Sequence, residues 1–112
     1  MHALDVLGDP VRRRLVELLA QGDRAAGELT DVVRAEFGIS QPAVSNHLKV
    51  LRDAGFAQSV AAGSRRIYAL RGERMTEAQR WVDEQVGLWT TTLDALDTEL
   101  HRGRRAASEE ES

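Results

Sequence analysis

The chain has 112 residues, 42% of them apolar and 29% charged, with a net charge of −3 and no cysteine. Length and balance suit one globular domain, small enough that a partner subunit would add useful burial. The missing cysteines exclude disulfides, thiolate catalysis and thiolate metal sites together, no apolar run approaches a membrane span, and MHALDVLGDPVRRR has no leader pattern, so a cytoplasmic protein without a membrane partner is expected.

In chain order, Leu4 and Leu7 suggest a short opening helix. Asp9-Pro10 reads as an N-cap with proline at the first helical position, and Val11, Leu15, Leu18 and Leu19 follow at helical spacing up to Gln21-Gly22-Asp23. A third helix is predicted from Ala26 to about Glu36, with Leu29, Val32 and Val33 facing inward, and Phe37-Gly38-Ile39 reads as a turn with two apolar anchors. Ser40 is a suitable N-cap for the next helix, and Pro42 falls in its first turn, where a missing N–H costs little. Val44, Leu48 and Leu51 form the core stripe, and Ala54-Gly55 closes the helix. FAQSVAA and RRIYAL are strand-like runs joined by Ala62-Gly63-Ser64, a hairpin with glycine at its tip. From Met75 to roughly Arg104 the chain is helical again, and AASEEES reads as a frayed acidic end. The predicted fold is mainly α with a small β-hairpin wing, a winged helix-turn-helix that dimerises through its terminal helices. Residues 1–105 form that domain and 106–112 a disordered acidic tail.

Charge is unevenly spread. Residues 40–74 hold six basic and two acidic side chains, whereas residues 1–39 hold five and seven, and residues 75–112 hold four and nine. A local basic face binds phosphates whatever the total charge. Centring the buried side of the 40–54 helix on Val44, at roughly 100° per residue, places Pro42, Ser45, Asn46, Lys49 and Asp53 opposite it, flanked by Gln41 and Arg52. These side chains suit base edges and phosphates: Asn and Gln pair with adenine, Ser with several bases, Lys with guanine or phosphate. The bland alternative is an ordinary solvated helix face.

DPVRRRLVELLA, AGEL, ISQPAVSNHLKVLRDAG and GSRRIYAL together resemble the ArsR/SmtB family of bacterial winged-helix repressors, from about Ala3 to Trp89. The resemblance implies a homodimer on double-stranded DNA at a pseudo-palindromic operator, with the 40–54 helix in the major groove. It also implies DNA contacts at Ser40, Gln41, Ser45, Asn46, His47 and Lys49. From the residues alone, His47 sits at the edge of the apolar stripe, so a phosphate contact and a half-buried structural role both stay open. Arg65 and Arg66 flank the hairpin tip, where a wing meets DNA backbone or minor groove. Their alternative role is to protect an edge strand. Tyr68 either shares the Arg66 face or packs beneath the wing. Arg12, Arg13 and Arg14 read as a solvated helix face, with one in reach of a phosphate.

Val82, Val86, Trp89, Leu93, Leu96 and Leu100 recur at spacings of 4, 3, 4, 3 and 4, an a/d seam. Together with Leu4 and Leu7 they are the expected dimer interface. Relatives that sense metals use cysteines near the DNA-reading helix or Asp/His/Glu clusters on the C-terminal helices. The first route is closed here, and the second has only Asp94, Asp97 and His101 at i, i+3 and i+7. No metal or other cofactor is therefore expected, and a small-molecule effector is left open. A metal-responsive repressor using those three residues is one alternative function; a winged-helix protein-interaction module without DNA binding is the other. No catalytic constellation stands out, so an enzyme is not expected.

Overall fold

The computed structural model describes the backbone of residues 1–111 and the side chains of residues 1–104. The elements run α1 (Ala3–Val6), α2 (Pro10–Ala20), β1 (Arg24–Ala25), α3 (Ala26–Phe37), α4 (Gln41–Asp53), β2 (Ala57–Ala62), β3 (Arg65–Leu70) and α5 (Gly72–Glu111). They divide into two units, Met1–Ala78 and Gln79–Ser112.

The first unit is a helical core closed on one side by a small antiparallel sheet of order β1-β3-β2. Helices α2 and α4 start where their cap chemistry places them. Asp9 Oδ1 accepts the Val11 and Arg12 N–H groups at 2.8 and 3.1 Å. Ser40 Oγ accepts the Ala43 N–H at 3.3 Å. Such caps satisfy N–H groups that no earlier turn can pair. The α4 end is a Schellman motif: Gly55 at φ 82° donates to Arg52 O, and the Phe56 N–H donates to Leu51 O at 2.8 Å. Phe56 is thereby delivered fully buried into the core.

Val11, Leu15, Leu18 and Leu19 from α2, Leu29 and Val33 from α3, and Val44, Leu48 and Leu51 from α4 are buried together, as the spacing predicts. Val32 packs against this core only partly buried. Four differences from expectation have physical causes. The inward residues of α1 are Ala3 and Val6, while Leu4 and Leu7 pack partly buried against the core. Phe37 ends α3 and is exposed, so Ile39 alone anchors the turn. A third strand is present: Arg24 and Ala25 pair with Tyr68 and Ile67, a stretch too short to show any pattern in sequence. The last helix begins at Gly72, three residues before Met75, because Gly72 supplies a carbonyl that both the helix and the Thr76 hydroxyl use (3.1 Å for the hydroxyl).

The β2–β3 hairpin turns through Gly63 and Ser64 with Ala62 opposite Arg65. Gly63 has φ 64° and no non-glycine residue among those described has a positive φ, the two-residue pattern that places glycine first. Tyr68 is buried beneath the wing rather than beside Arg66.

In the second unit α5 carries an exposed apolar stripe. Val82, Val86, Trp89, Leu93, Leu96 and Leu100 are all exposed, as are Trp81 and Leu88. The expected acidic tail, residues 106–112, lies outside the residues whose side chains are described.

Candidate nucleic-acid interface

Helix α4 is two-sided. Val44, Leu48 and Leu51 are buried, and Gln41, Pro42, Ser45, Asn46, Lys49 and Arg52 are exposed, with the cap residue Ser40 exposed at the start of the same face. The N-terminal half of that face carries amide and hydroxyl groups, and the C-terminal half carries the cations. Lys49 has no ion pair or hydrogen bond with another described side chain, so its ammonium is free for an anion. Arg52 lies 3.8 Å from the Asp53 carboxylate beside it.

His47 is placed differently. It is half-buried and faces the start of α2, with Nδ1 3.5 Å from Arg12 Nη1 and 3.9 Å from Asp9 Oδ1. The ring thus lies between α4 and the start of α2, in reach of Arg12 and Asp9. Burial pushes the Asp9 carboxyl up, but the Arg12 N–H, neighbouring His47 and the Val11 N–H outweigh it and hold the group below the usual carboxylate range.

The α2 arginines are not a solvated cluster. Arg12 Nε donates to Val6 O at 2.7 Å, and Arg13 Nη1 donates to Leu7 O at 2.8 Å, so both tie α1 to α2. Arg14 forms a two-pronged pair with Glu36 of α3 at 2.8 and 3.0 Å. That hydrogen-bonded pair raises the Arg14 pKa and lowers that of Glu36. None of the three guanidinium groups is free to reach a distant phosphate without breaking a contact.

A polar groove of about 260 Å³ runs between α3, α4 and β3, lined by Thr30, Asp31, Arg34, Gln41, Ser45 and Tyr68 among others. Asp31 and Arg34 thus flank the amide-rich end of the α4 face. Sequence reasoning passed over them because spacing on one helix does not reveal what it faces on another. The wing arginines are both exposed. Arg66 donates to Ser59 Oγ at 2.9 Å, and Arg65 pairs with Glu28 at 2.7 Å.

Among the described residues no group of three His, Cys, Asp or Glu is placed to hold a metal ion, and Asp97 and His101 line only a groove with Thr98 and Arg102. Among the described residues no helix is long and apolar enough to cross a membrane.

Residues 9–59, from the α2 cap through α4 into β2, match the family model for bacterial regulatory proteins of the arsR family. The chain is 38% identical over 92 residues to the HTH-type transcriptional regulator Rv2034 of Mycobacterium tuberculosis, covering 82% of this chain and 79% of that one. The chain belongs to the ArsR family. A second relative, the transcriptional repressor SdpR of Bacillus subtilis, is 30% identical over 72% of this chain and 86% of its own length. The homodimeric winged helix-turn-helix DNA-binding domain of a possible ArsR-family regulator from Mycobacterium bovis superposes with a TM-score of 0.56. It is 26% identical, over 77% of this chain and 74% of that one. This ArsR-family chain is accordingly a winged-helix transcriptional regulator that binds DNA.

Proposed function

We propose that the chain acts in the cytoplasm as a homodimeric repressor that occludes a promoter at a pseudo-palindromic operator. The observation that carries the proposal is the two-sided α4: three fully used core positions fix the helix, and its opposite face is exposed, polar and cationic. A helix fits the width of the major groove, and side chains in its first turns meet base edges. Gln41, Ser45 and Asn46 read bases in this scheme, with Pro42 in van der Waals reach. Ser40 and Lys49 hold phosphates, with Arg52 near the far strand. Arg65 and Arg66 lay the wing on the backbone. His47 supports this face from behind through Arg12 and Asp9 rather than touching DNA.

The exposed α5 stripe supports the dimer, joined by Leu4 and Leu7 at their partly buried positions. Six apolar residues at heptad spacing form a continuous surface larger than monomers usually leave to water. Two-fold pairing would set two α4 helices about 34–36 Å apart, one turn of DNA. Repression is then steric, and relief needs only a change in dimer geometry that moves the two helices out of register with successive grooves.

Sedimentation of the chain with and without duplex tests the proposal. A dimer that binds one duplex per two protomers is the expected result. A monomer that stays monomeric on saturating DNA would overturn the dimeric reading.

A further inference from the structure

Arg65 and Glu28 belong to distant parts of the first unit. Arg65 is the first residue of β3, directly after the Gly63–Ser64 tip, and Glu28 lies in the first turn of α3. Their side chains meet at 2.7 Å, and both are well exposed, at 60% and 52%. The other cations of this surface are held differently. Lys49 has no partner among the described residues, and Arg66 is held by the neutral Ser59 hydroxyl. Among the described cations of α4 and the wing (Lys49, Arg52, Arg65 and Arg66), Arg65 alone is paired with a carboxylate from another element.

We propose that Glu28 is an internal competitor for Arg65, a latch that the DNA backbone must displace before the wing engages. The inference rests on the DNA-binding reading and adds a residue that tunes its affinity. A phosphate and a carboxylate offer a guanidinium the same two-oxygen recognition, so Arg65 exchanges one for the other rather than gaining a partner outright. The exchange leaves Glu28 in a tolerable place. It stays exposed to water and beside the unpaired N–H groups of the α3 N-terminus, where an anion is stabilised. Ala25, which precedes the helix, supplies no side-chain cap of its own. An exposed ion pair is weak, so the latch trims affinity without blocking it, by about two- to fivefold.

The test uses the full chain in four forms: wild type, Glu28→Gln, Arg65→Ala and the double variant. Each is titrated against a short fluorescein-labelled duplex at several salt concentrations. A generic duplex suffices at low salt, because a wing–phosphate contact carries no sequence information. Glu28→Gln is expected to bind about two- to fivefold tighter than wild type. With Arg65→Ala already present, Glu28→Gln is expected to change nothing. Glu28→Asp, which keeps the charge and shortens the reach, is expected to gain affinity as well. Unchanged binding by Glu28→Gln overturns the latch. So does an equal gain in the Arg65→Ala background, which would mean that Glu28 merely repels phosphates. If all four bind duplex without coupling, the latch fails and the DNA reading stands. If none binds any duplex, both fail.

Discussion

Replacing Leu93 by glutamate should dissociate the dimer while leaving the protomer folded. Leu93 is 43% exposed in the single chain, so roughly half of its side chain remains for a partner to cover. Full burial of a leucine is worth about 1.5–3 kcal/mol, so this position contributes about 1 kcal/mol per protomer. Two-fold symmetry counts it twice, for about 2 kcal/mol. The substitution also takes a carboxylate from water on each protomer, close to the existing Asp94 and Asp97 of its own helix. Even at about 1 kcal/mol each for a partly hydrated seam, the total reaches about 4 kcal/mol. That is close to a thousandfold loss of dimer affinity. Leucine and glutamate have similar helix propensities, so α5 should keep its far-UV circular dichroism. Sedimentation velocity across a concentration series reads the dissociation constant directly. DNA binding should fall with it, since a protomer alone holds half a site. A variant that dimerises with an unchanged constant would refute the seam.

Lys49→Ala should weaken DNA binding at every sequence tested and reduce the log–log salt slope by about one, because its ammonium has no internal partner to release first; an unchanged slope would remove Lys49 from the interface. Asp9→Ala should cost about 1 kcal/mol near neutral pH through the lost α2 cap. The Asp9 carboxyl is held below its ordinary value of 3.8, so its contribution is present above that pH and lost as pH falls through the lower folded value. The gap between the melts of wild type and variant should therefore be full above pH 3.8 and close as pH falls through the lower folded value. Gly55→Ala should destabilise by about 1–2 kcal/mol, since the added Cβ must adopt φ 82° to keep the Schellman hydrogen bonds. Thermal melting checks this, and an unchanged midpoint would show that the α4 end relaxes freely.

The helical part of the fold was legible because it rests on local rules. Asp9 and Ser40 announce their helices by cap chemistry, and Val44, Leu48 and Leu51 announce their face by spacing. The hairpin was legible through Gly63 between two alternating runs. What stayed hidden depends on tertiary partners. Strand β1 is two residues long and exists only because Tyr68 and Ile67 lie beside it. His47 lay on the border between two faces, and its nearness to Asp9 and Arg12 shows only once α2 and α4 are packed together. Arg12, Arg13 and Arg14 looked like one basic cluster, yet each is committed to a different acceptor. In α4 the outward face was legible because its buried opposite was. Asp31, Arg34 and the Glu28–Arg65 pair were not, because their neighbours come from other elements.

The most direct measurement is selection of duplexes from a random pool by the full-length chain, followed by titration of the enriched sequence against a shuffled one. The account predicts an enriched inverted repeat with half-sites about 10 base pairs apart. It should be bound by two protomers, far tighter than the shuffled duplex, and weaken steeply with salt. A pool that emerges without enrichment, with equal weak binding to both duplexes, would contradict sequence-specific recognition by α4.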